Sequence, residues 1–149
     1  MAINRLWHNK LKFLGNHLTT KIILDTNFLF VPSQFHLDIF EELDRLLGQQ
    51  VEPLILSSTL RELQKLAESR SVKKSKQALL GLKLTEICRV VEVKRKSDES
   101  NDDVILRTAV AMRCPVATND RELRRKLRNA SVPVVFLRQK SRLAVDGSV

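Results

Sequence analysis

The sequence predicts an α/β fold, a three-layer α/β/α domain with a central parallel sheet of about five strands. Two observations indicate this fold. Short apolar runs that end in a polar cluster recur along the 149 residues, and segments with apolar residues at helical spacing usually follow them. Short strands that alternate with helices are typical of crossover units, which build a parallel sheet with helices on both faces.

The apolar patterns place the elements in order along the chain. The predicted strands lie at residues 22–24, 54–56, 90–91, 115–117 and 134–136. The predicted helices span residues 35–47, 60–66, 79–87, 104–112 and 123–127. Gly48 follows the first of these helices as a C-cap. The polar, basic segment 68–76 predicts a mobile loop between two helices.

The chain divides into a central domain and two basic flanks. The N-terminal flank predicts an appended helix, because four apolar residues between Trp7 and Leu18 share one helical face. The predicted parts are a basic N-terminal extension (1–20), the α/β domain (21–137) and a basic C-terminal tail (138–149).

Composition and charge narrow the class of protein. The 26 Lys and Arg residues exceed the 17 Asp and Glu residues, and a net charge of +9 favours polyanionic partners, nucleic acid before a membrane surface. No apolar run approaches the ~18 residues that cross a bilayer, and the N-terminal stretch lacks the apolar middle of a signal peptide. We therefore expect a cytoplasmic protein without a membrane partner. Cys88 and Cys114 lie in apolar surroundings, which predicts core residues rather than a disulfide or a zinc site.

Several chemistries are excluded by what the chain lacks. With four glycines in all, neither a P-loop nor a dinucleotide-binding fingerprint occurs. The three histidines lie within the first 36 residues, and no serine occupies a nucleophile elbow, which argues against a hydrolytic triad. The remaining candidates are acidic residues next to the predicted strands.

Five acidic residues stand where a parallel sheet places its ligands. Asp25 and Asp120 follow predicted strands, Glu62 lies in the helix after another strand, and Asp102 with Asp103 opens a later helix. Two like charges ~4 Å apart repel by about 4 kcal/mol at an effective dielectric near 20, so carboxylates crowded into one cleft need a cation. Ligands that are all oxygen select Mg²⁺ or Mn²⁺, and such ions suit phosphodiester hydrolysis.

Each of these carboxylates also has a local explanation as a turn or cap residue, in which no metal is involved. The local alternatives are an Asx turn at Asp25, capping boxes that pair Thr59 with Glu62 and Ser100 with Asp103, and an N-cap at Asp120. Because the strand ends converge on one edge, we favour the shared cleft over four separate structural roles.

With these motifs in place, the chain resembles the PIN-domain nuclease family over roughly residues 21–137. The segments that carry the resemblance are LDTNFLF, FHLDIFEEL, NDDVILRTAV and VATNDRELRRKLRNASVPVVFL. Within the family, the chain looks most like the branch that contains the PIN endonuclease of the small-subunit processome and its archaeal relatives.

The resemblance implies a PIN-like domain with endoribonuclease activity that depends on Mg²⁺ or Mn²⁺ and serves ribosomal RNA processing. Asp103 is preferred over Asp102 because the family's aspartate directly precedes a small apolar pair, here Val104 and Ile105. The implied catalytic and metal-binding residues are Asp25, Glu62, Asp103 and Asp120, with Asn27, Thr118 and Asn119 in support.

Other functions stay open at this point. A VapC-type toxin shares the same chemistry and would have an antitoxin, and a non-catalytic RNA-binding ribosome-assembly factor would keep the fold and the basic surface. A haloacid-dehalogenase-type phosphatase also starts with an aspartate after its first strand, but Asn27 replaces its second aspartate. The implied partners are a ribosomal RNA precursor and either ribosome-assembly proteins or an antitoxin, while a homodimer stays open.

Two basic clusters are predicted to bind RNA phosphates. One occupies the predicted loop and the other follows the Asp120 motif; the alternative for the loop is a solvated surface without a ligand. The predicted RNA-binding residues are Lys73, Lys74, Lys76, Arg124, Arg125, Lys126 and Arg128.

Overall fold

One six-stranded sheet organises the molecule. The structure is a computed structural model and describes residues 19–149, so the predicted N-terminal helix lies outside the described residues. The strands are β1 (Thr19–Leu24), β2 (Gln50–Leu56), β3 (Arg89–Val91), β4 (Val116–Ala117), β5 (Val134–Arg138) and β6 (Arg142–Asp146). Their order is β3-β2-β1-β4-β5-β6, and every neighbouring pair is parallel except β5 and β6, which are antiparallel. The predicted α/β class and all five predicted strands are confirmed.

The helices cover both faces of this sheet. They are α1 (Val31–Phe35), α2 (Ile39–Leu47), α3 (Ser57–Ala67), α4 (Val72–Thr85), α5 (Asn101–Met112) and α6 (Arg121–Asn129), and a 3-10 helix (Thr26–Phe30) follows β1. None of the helices within residues 19–149 is long and apolar enough to span a membrane. The two cysteines are free, with Cys114 buried and Cys88 half-buried.

Two apolar clusters, one on each side of the sheet, explain the three layers. Successive residues of a strand point to opposite faces. Ile22 and Leu24 of β1 accordingly belong to the cluster that includes residues of α2, whereas Ile23 belongs to the cluster that includes residues of α5 and α6. All three side chains are fully buried. A strand that is apolar on both faces is what a sheet covered by helices on both sides requires.

The ends of α2 follow from its cap residues. The Asp38 carboxylate accepts hydrogen bonds from the Phe40 and Glu41 amides and starts the helix. Gly48 ends it in the left-handed conformation, with φ of 64°, which confirms the predicted C-cap. The predicted start at residue 35 was early, because His36 adopts φ of 54° and separates α1 from α2.

The expected loop at residues 68–76 is shorter than predicted. Ser71 caps α4 by accepting a hydrogen bond from the Lys74 amide, so the basic residues of this segment lie on the first turns of a helix. Farther along α4, Gly81 allows a close approach to α3, since a Cβ there would lie 3.3 Å from Leu63 Cδ2. The prediction of a loop was therefore wrong from residue 72 onward.

The segment predicted as a basic tail is part of the sheet. Arg138 ends β5, and residues 142–146 form β6 beside it. Leu143 is buried in the same cluster as α2 residues, and the Asp146 carboxylate pairs with Arg124 and Arg128 of α6. The boundary drawn at residue 137 is thus corrected, because β6 is held by backbone pairing, apolar burial and ion pairs.

The burial of Leu143 gives a test of this strand. We expect Leu143→Ala to lower the free energy of unfolding by about 2–4 kcal/mol, because it removes a buried leucine side chain. Arg142→Ala on the same strand changes an exposed side chain and should stay within about 0.5 kcal/mol of the wild type. Urea unfolding of both variants measures the difference. Equal, negligible effects would mean that the segment is a tail after all.

Candidate active site

A cleft lies at the carboxyl edge of the sheet, beside the first strand. Connections from β1 lead to β2 on one side, while β4 lies on the other, so this edge holds the switch point where open α/β sheets bind ligands. The cleft measures about 390 Å³. Four carboxylates from four different segments line it, those of Asp25, Glu62, Asp102 and Asp120.

Asp25 is the most deeply buried of these carboxylates, with 7% of its surface exposed. Its Oδ1 accepts a hydrogen bond from the Thr26 amide at 2.8 Å. Its Oδ2 accepts hydrogen bonds from Asn27 Nδ2 at 3.0 Å and from Thr118 Oγ1 at 2.7 Å. Both oxygens are thereby oriented by groups that follow β1 and β4.

The three predicted supporting residues belong to one hydrogen-bond network. Asn27 Oδ1 accepts a hydrogen bond from the Asn119 amide at 3.0 Å, and Asn119 Oδ1 accepts one from the Leu137 amide at 2.8 Å. Thr118 Oγ1, besides donating to the buried carboxylate, accepts a hydrogen bond from the Asp120 amide at 3.1 Å. The network therefore joins the ends of β1, β4 and β5.

Burial and mutual repulsion shape the charge of the cleft. The pKa of Asp25 is raised to about 6, chiefly by burial and also by the negative charges of Asp102 and Glu62, while hydrogen bonds from Thr118 and Thr26 oppose the rise. Burial also raises the pKa of Asp102, and the charge of Asp120 adds to that effect. Ionising these groups is unfavourable without a cation, which makes the cleft a site where a cation would be stabilised.

The structure places the two neighbouring aspartates, Asp102 and Asp103, in different surroundings, and the predicted Asp103 does not line the cleft. Asp103 Oδ2 accepts a hydrogen bond from the Ser100 amide, and Ser100 Oγ accepts one from the Asp103 amide, both at 3.1 Å. This is the capping box considered as a local alternative, and its hydrogen bonds lower the pKa of Asp103. Consecutive helical residues point about 100° apart, so Asp102 faces the cleft while Asp103 caps the helix.

Glu62 reaches the cleft from the middle of α3. The helix already begins at Ser57, so Thr59 lies inside it and forms no capping box with Glu62. Asn101 Nδ2 donates a hydrogen bond to Glu62 Oε2 at 2.7 Å. Asn101 also lines the cleft and was absent from the predicted set, although its place between the cap Ser100 and Asp102 was visible in the sequence.

Asp120 combines a structural role with a place in the cleft. Its Oδ1 accepts hydrogen bonds from the amides of Glu122 at 2.8 Å and Leu123 at 3.0 Å, which confirms the N-cap considered for it. Capping occupies one oxygen of the carboxylate and keeps it at the end of α6 that borders the cleft. The structural and functional explanations of Asp120 are therefore compatible.

The donors of the cleft suit a hard divalent cation. They are carboxylate oxygens without sulfur or imidazole, the set that Mg²⁺ and Mn²⁺ prefer. Within residues 19–149, no three acidic, histidine or cysteine side chains lie close enough together, in their present positions, to hold one metal ion. A bound cation would therefore have to draw the carboxylates closer together.

The basic residues of α6 have different surroundings. Arg124 and Arg128 both pair with Asp146, and Arg124 also stacks on the Phe136 ring at 3.7 Å. Arg125 pairs with the neighbouring Glu122. These contacts attach α6 to β5 and β6 and occupy the guanidinium groups of the predicted RNA-binding cluster.

The lysines of the two predicted RNA-binding clusters, unlike the arginines in those clusters, are not engaged in salt bridges with the described residues. Lys126 lies near enough to the cleft for its positive charge to oppose the rise in the pKa of Asp102. Lys73, Lys74 and Lys76 are exposed on the first turns of α4. Within residues 19–149, none of these four lysines forms a salt bridge.

Comparison with known proteins adds independent findings. The family described as "PIN like domain" matches residues 22–140. The chain is 31% identical over 129 residues to "Ribonuclease VapC4" of Methanocaldococcus jannaschii, covering 87% of this chain and 98% of that protein. It is 37% identical over 93 residues to "Ribonuclease VapC9" of Archaeoglobus fulgidus, covering 62% and 66%. The solved structure of "the PIN domain endonuclease Utp24" matches with a TM-score of 0.73 and 26% identity, covering 87% of this chain and 92% of that one.

Opposite effects on stability are expected from the adjacent aspartates. In buffer with a metal chelator at pH 7, Asp102→Asn should raise the Tm by roughly 2–4 °C, because it removes a charge whose ionisation the cleft disfavours. Asp103→Asn should lower the Tm by a similar roughly 2–4 °C, because it weakens a capping box. Thermal melts followed by circular dichroism measure both.

The pH dependence of the Asp102→Asn effect provides the control. Since folding raises the pKa of Asp102, the ionised carboxylate costs stability above its folded pKa and none once pH falls below the unfolded value, about 3.9. The stabilisation by Asp102→Asn should therefore shrink as pH falls from 7 to 4. A pH-independent gain would contradict an origin in charge repulsion.

Proposed function

Because the chain belongs to the PIN-like domain family, we propose that it is a Mg²⁺- or Mn²⁺-dependent endoribonuclease of the cytoplasm. The observation that carries the proposal is the convergence of four carboxylates in one cleft, with the pKa of the most buried one raised to about 6. Two relatives named as ribonucleases and a solved relative described as an endonuclease support this activity.

The residues of the cleft have two roles, cation binding and orientation of the cation ligands. We assign cation binding to Asp25, Glu62, Asp102 and Asp120. When bound, a divalent ion supplies stabilisation of the negative charge that develops on the phosphate and the leaving oxygen during hydrolysis. Thr118 keeps the Asp25 carboxylate oriented through a 2.7 Å hydrogen bond, so this carboxylate would need little reorientation on cation binding, and the others would move toward it.

Asn101 has a positioning role in this scheme. Its amide holds Glu62 Oε2 and leaves Oε1 without a hydrogen bond among the described residues. An amide orients a carboxylate without neutralising it, whereas a lysine or an arginine in its place would compete with the cation for the negative charge. Asn101 also ties α3 to the start of α5, which carries Asp102.

The biological substrate we propose is a ribosomal RNA precursor. The support for this substrate is the resemblance of the sequence motifs to the small-subunit processome branch of the family, and the TM-score of 0.73 to a PIN domain endonuclease, over 92% of that chain, supports the activity. A VapC-type toxin is the second candidate, and it is favoured by 31% identity over 98% of a VapC ribonuclease. Removing the gene from its host distinguishes the roles. Loss of an RNA-processing enzyme should leave uncut ribosomal precursors, whereas loss of a toxin should leave ribosomal RNA normal. In addition, a toxin should arrest growth when it is expressed without its antitoxin.

Cleavage assays test the activity itself. We expect the purified protein to cut a ribosomal RNA precursor in Mn²⁺ and to lose that activity in chelator. Asp102→Asn should reduce the rate at least about 100-fold because it removes a cation ligand, while the matched variant Asp103→Asn should retain activity. Equal losses in the two variants, or cleavage that persists in chelator, would contradict the assignment.

Metal binding tests the role of Asn101 separately. Asn101→Ala should raise the Kd for Mn²⁺ by about 10–100-fold, because a carboxylate ligand loses its orienting partner. The turnover rate at saturating Mn²⁺ should change much less. Calorimetric titration gives the affinity, and Asn129→Ala, an exposed asparagine on α6, serves as the control. An unchanged Mn²⁺ affinity would assign Asn101 a structural role alone.

A further inference from the structure

The connection between β3 and α5 carries an unassigned group of cations. We call residues 92–100 the basic loop after Lys94, Arg95 and Lys96, which follow one another there and are all exposed; the loop also carries the acidic residues Glu92, Asp98 and Glu99. None of the three forms a salt bridge within residues 19–149. Two carboxylates of the loop pair with arginines outside it, Glu92 with Arg61 and Glu99 with Arg107, so three consecutive cations are left available to an external anion.

The start of the basic loop is fixed to α3. Ser57 Oγ accepts a hydrogen bond from the Val93 amide at 2.9 Å and donates one to the Val93 carbonyl at 3.2 Å. Ser57 itself is buried at the first turn of its helix. Both backbone groups of Val93 are thus bound directly before the three cations.

The end of the basic loop is fixed to α5. Arg107 donates to both oxygens of Glu99 at 2.9 Å and to the Lys94 carbonyl at 2.7 Å. Glu99 Oε1 in turn accepts a hydrogen bond from the Lys96 amide at 2.9 Å. Arg107 therefore engages the Glu99 carboxylate and holds the backbone of the three cations.

The location of the basic loop relates it to the cleft. β3 ends at the carboxyl edge of the sheet, and the loop leads from there to Ser100 and Asn101, both of which line the cleft. The Glu99 amide donates to the Lys96 carbonyl at 3.1 Å, so Lys96 is separated from the cleft by one tight turn. Cations therefore border an acidic cleft without being paired to its carboxylates.

We propose that Lys94, Arg95 and Lys96 bind phosphates of the RNA strand next to the scissile bond. The inference rests on the proposed ribonuclease function and names a substrate contact for it. Phosphate contacts set the position of a nucleic acid, while the carboxylates serve the reaction. Because Ser57, Glu99 and Arg107 already hold the loop backbone, binding RNA requires less ordering of the chain.

Salt dependence of RNA binding tests the proposal. Asp102→Asn serves as the background, so that the single-stranded RNA probe is not cut, and Lys94, Arg95 and Lys96 are replaced by Ala together. Each neutralised phosphate contributes about 0.7 to the slope of log affinity against log salt, so the triple variant should flatten the slope by about 2. At 0.1 M salt, the affinity should fall by up to about 100-fold.

Two further variants make the result specific. Lys21→Ala with Arg113→Ala removes exposed cations that line a cavity at the amino edge of the sheet, away from the cleft, and should leave the slope unchanged. Arg107→Gln keeps the three cations but releases the loop, so the affinity should fall about tenfold while the slope stays within about 0.5 of its value.

The outcomes separate this inference from the proposed function. An unchanged slope in the triple variant, or the same loss per charge in the amino-edge variant, would overturn the role of the basic loop even if the wild type cleaves RNA. A flattened slope in a protein whose wild type cuts no RNA in Mn²⁺ would instead overturn the nuclease and leave an RNA-binding loop.

Discussion

The hydrogen bond from Thr118 to the buried Asp25 carboxylate is the contact on which the site depends. It joins the residues that follow β1 and β4, two strands that pair over only two residue positions. The same hydroxyl accepts the Asp120 amide, so one side chain sets the position of two carboxylates. A parallel sheet brings strand ends to one edge, but a contact of this kind is needed to fix the side chains there.

Function and stability oppose each other at this edge. Burying Asp25 beside other acidic side chains raises its pKa, which means that the folded protein at neutral pH carries an unfavourable charge. The apolar clusters on the two faces of the sheet compensate, since Phe28 and Leu29 next to the site are buried in one of them. Strained or repulsive groups persist at functional sites when the surrounding core is well packed.

Much of the architecture could be predicted from sequence, and particular residues explain what could not. The strands were recognised because β1, β2 and β5 each contain at least three consecutive apolar residues larger than alanine. The start of α4 was missed because its first turns are polar, and Ala78 is the first buried residue of the helix. β6 was missed because Leu143 is the one buried residue among its five, which leaves too weak an apolar pattern to recognise a strand. Predicting the site residues required the direction of each side chain. For the two neighbouring aspartates, the sequence contained that information in Ser100, because a serine three residues before Asp103 specifies a capping box and leaves Asp102 to face the cleft.

The two outer strands limit how copies of this chain could join. β3 spans three residues, and β6 spans five and begins with the exposed Arg142. After β6, Gly147 adopts φ of 100°, a conformation that favours glycine, and a Cβ there would displace the Arg128 guanidinium that pairs with Asp146. Short edge strands that carry charged residues disfavour the addition of further strands from another molecule. Within the part of the chain that the structure describes, the helical faces are therefore better suited to self-association than the sheet edges, and continuous cross-molecule sheets, the route to fibrous aggregates, are disfavoured.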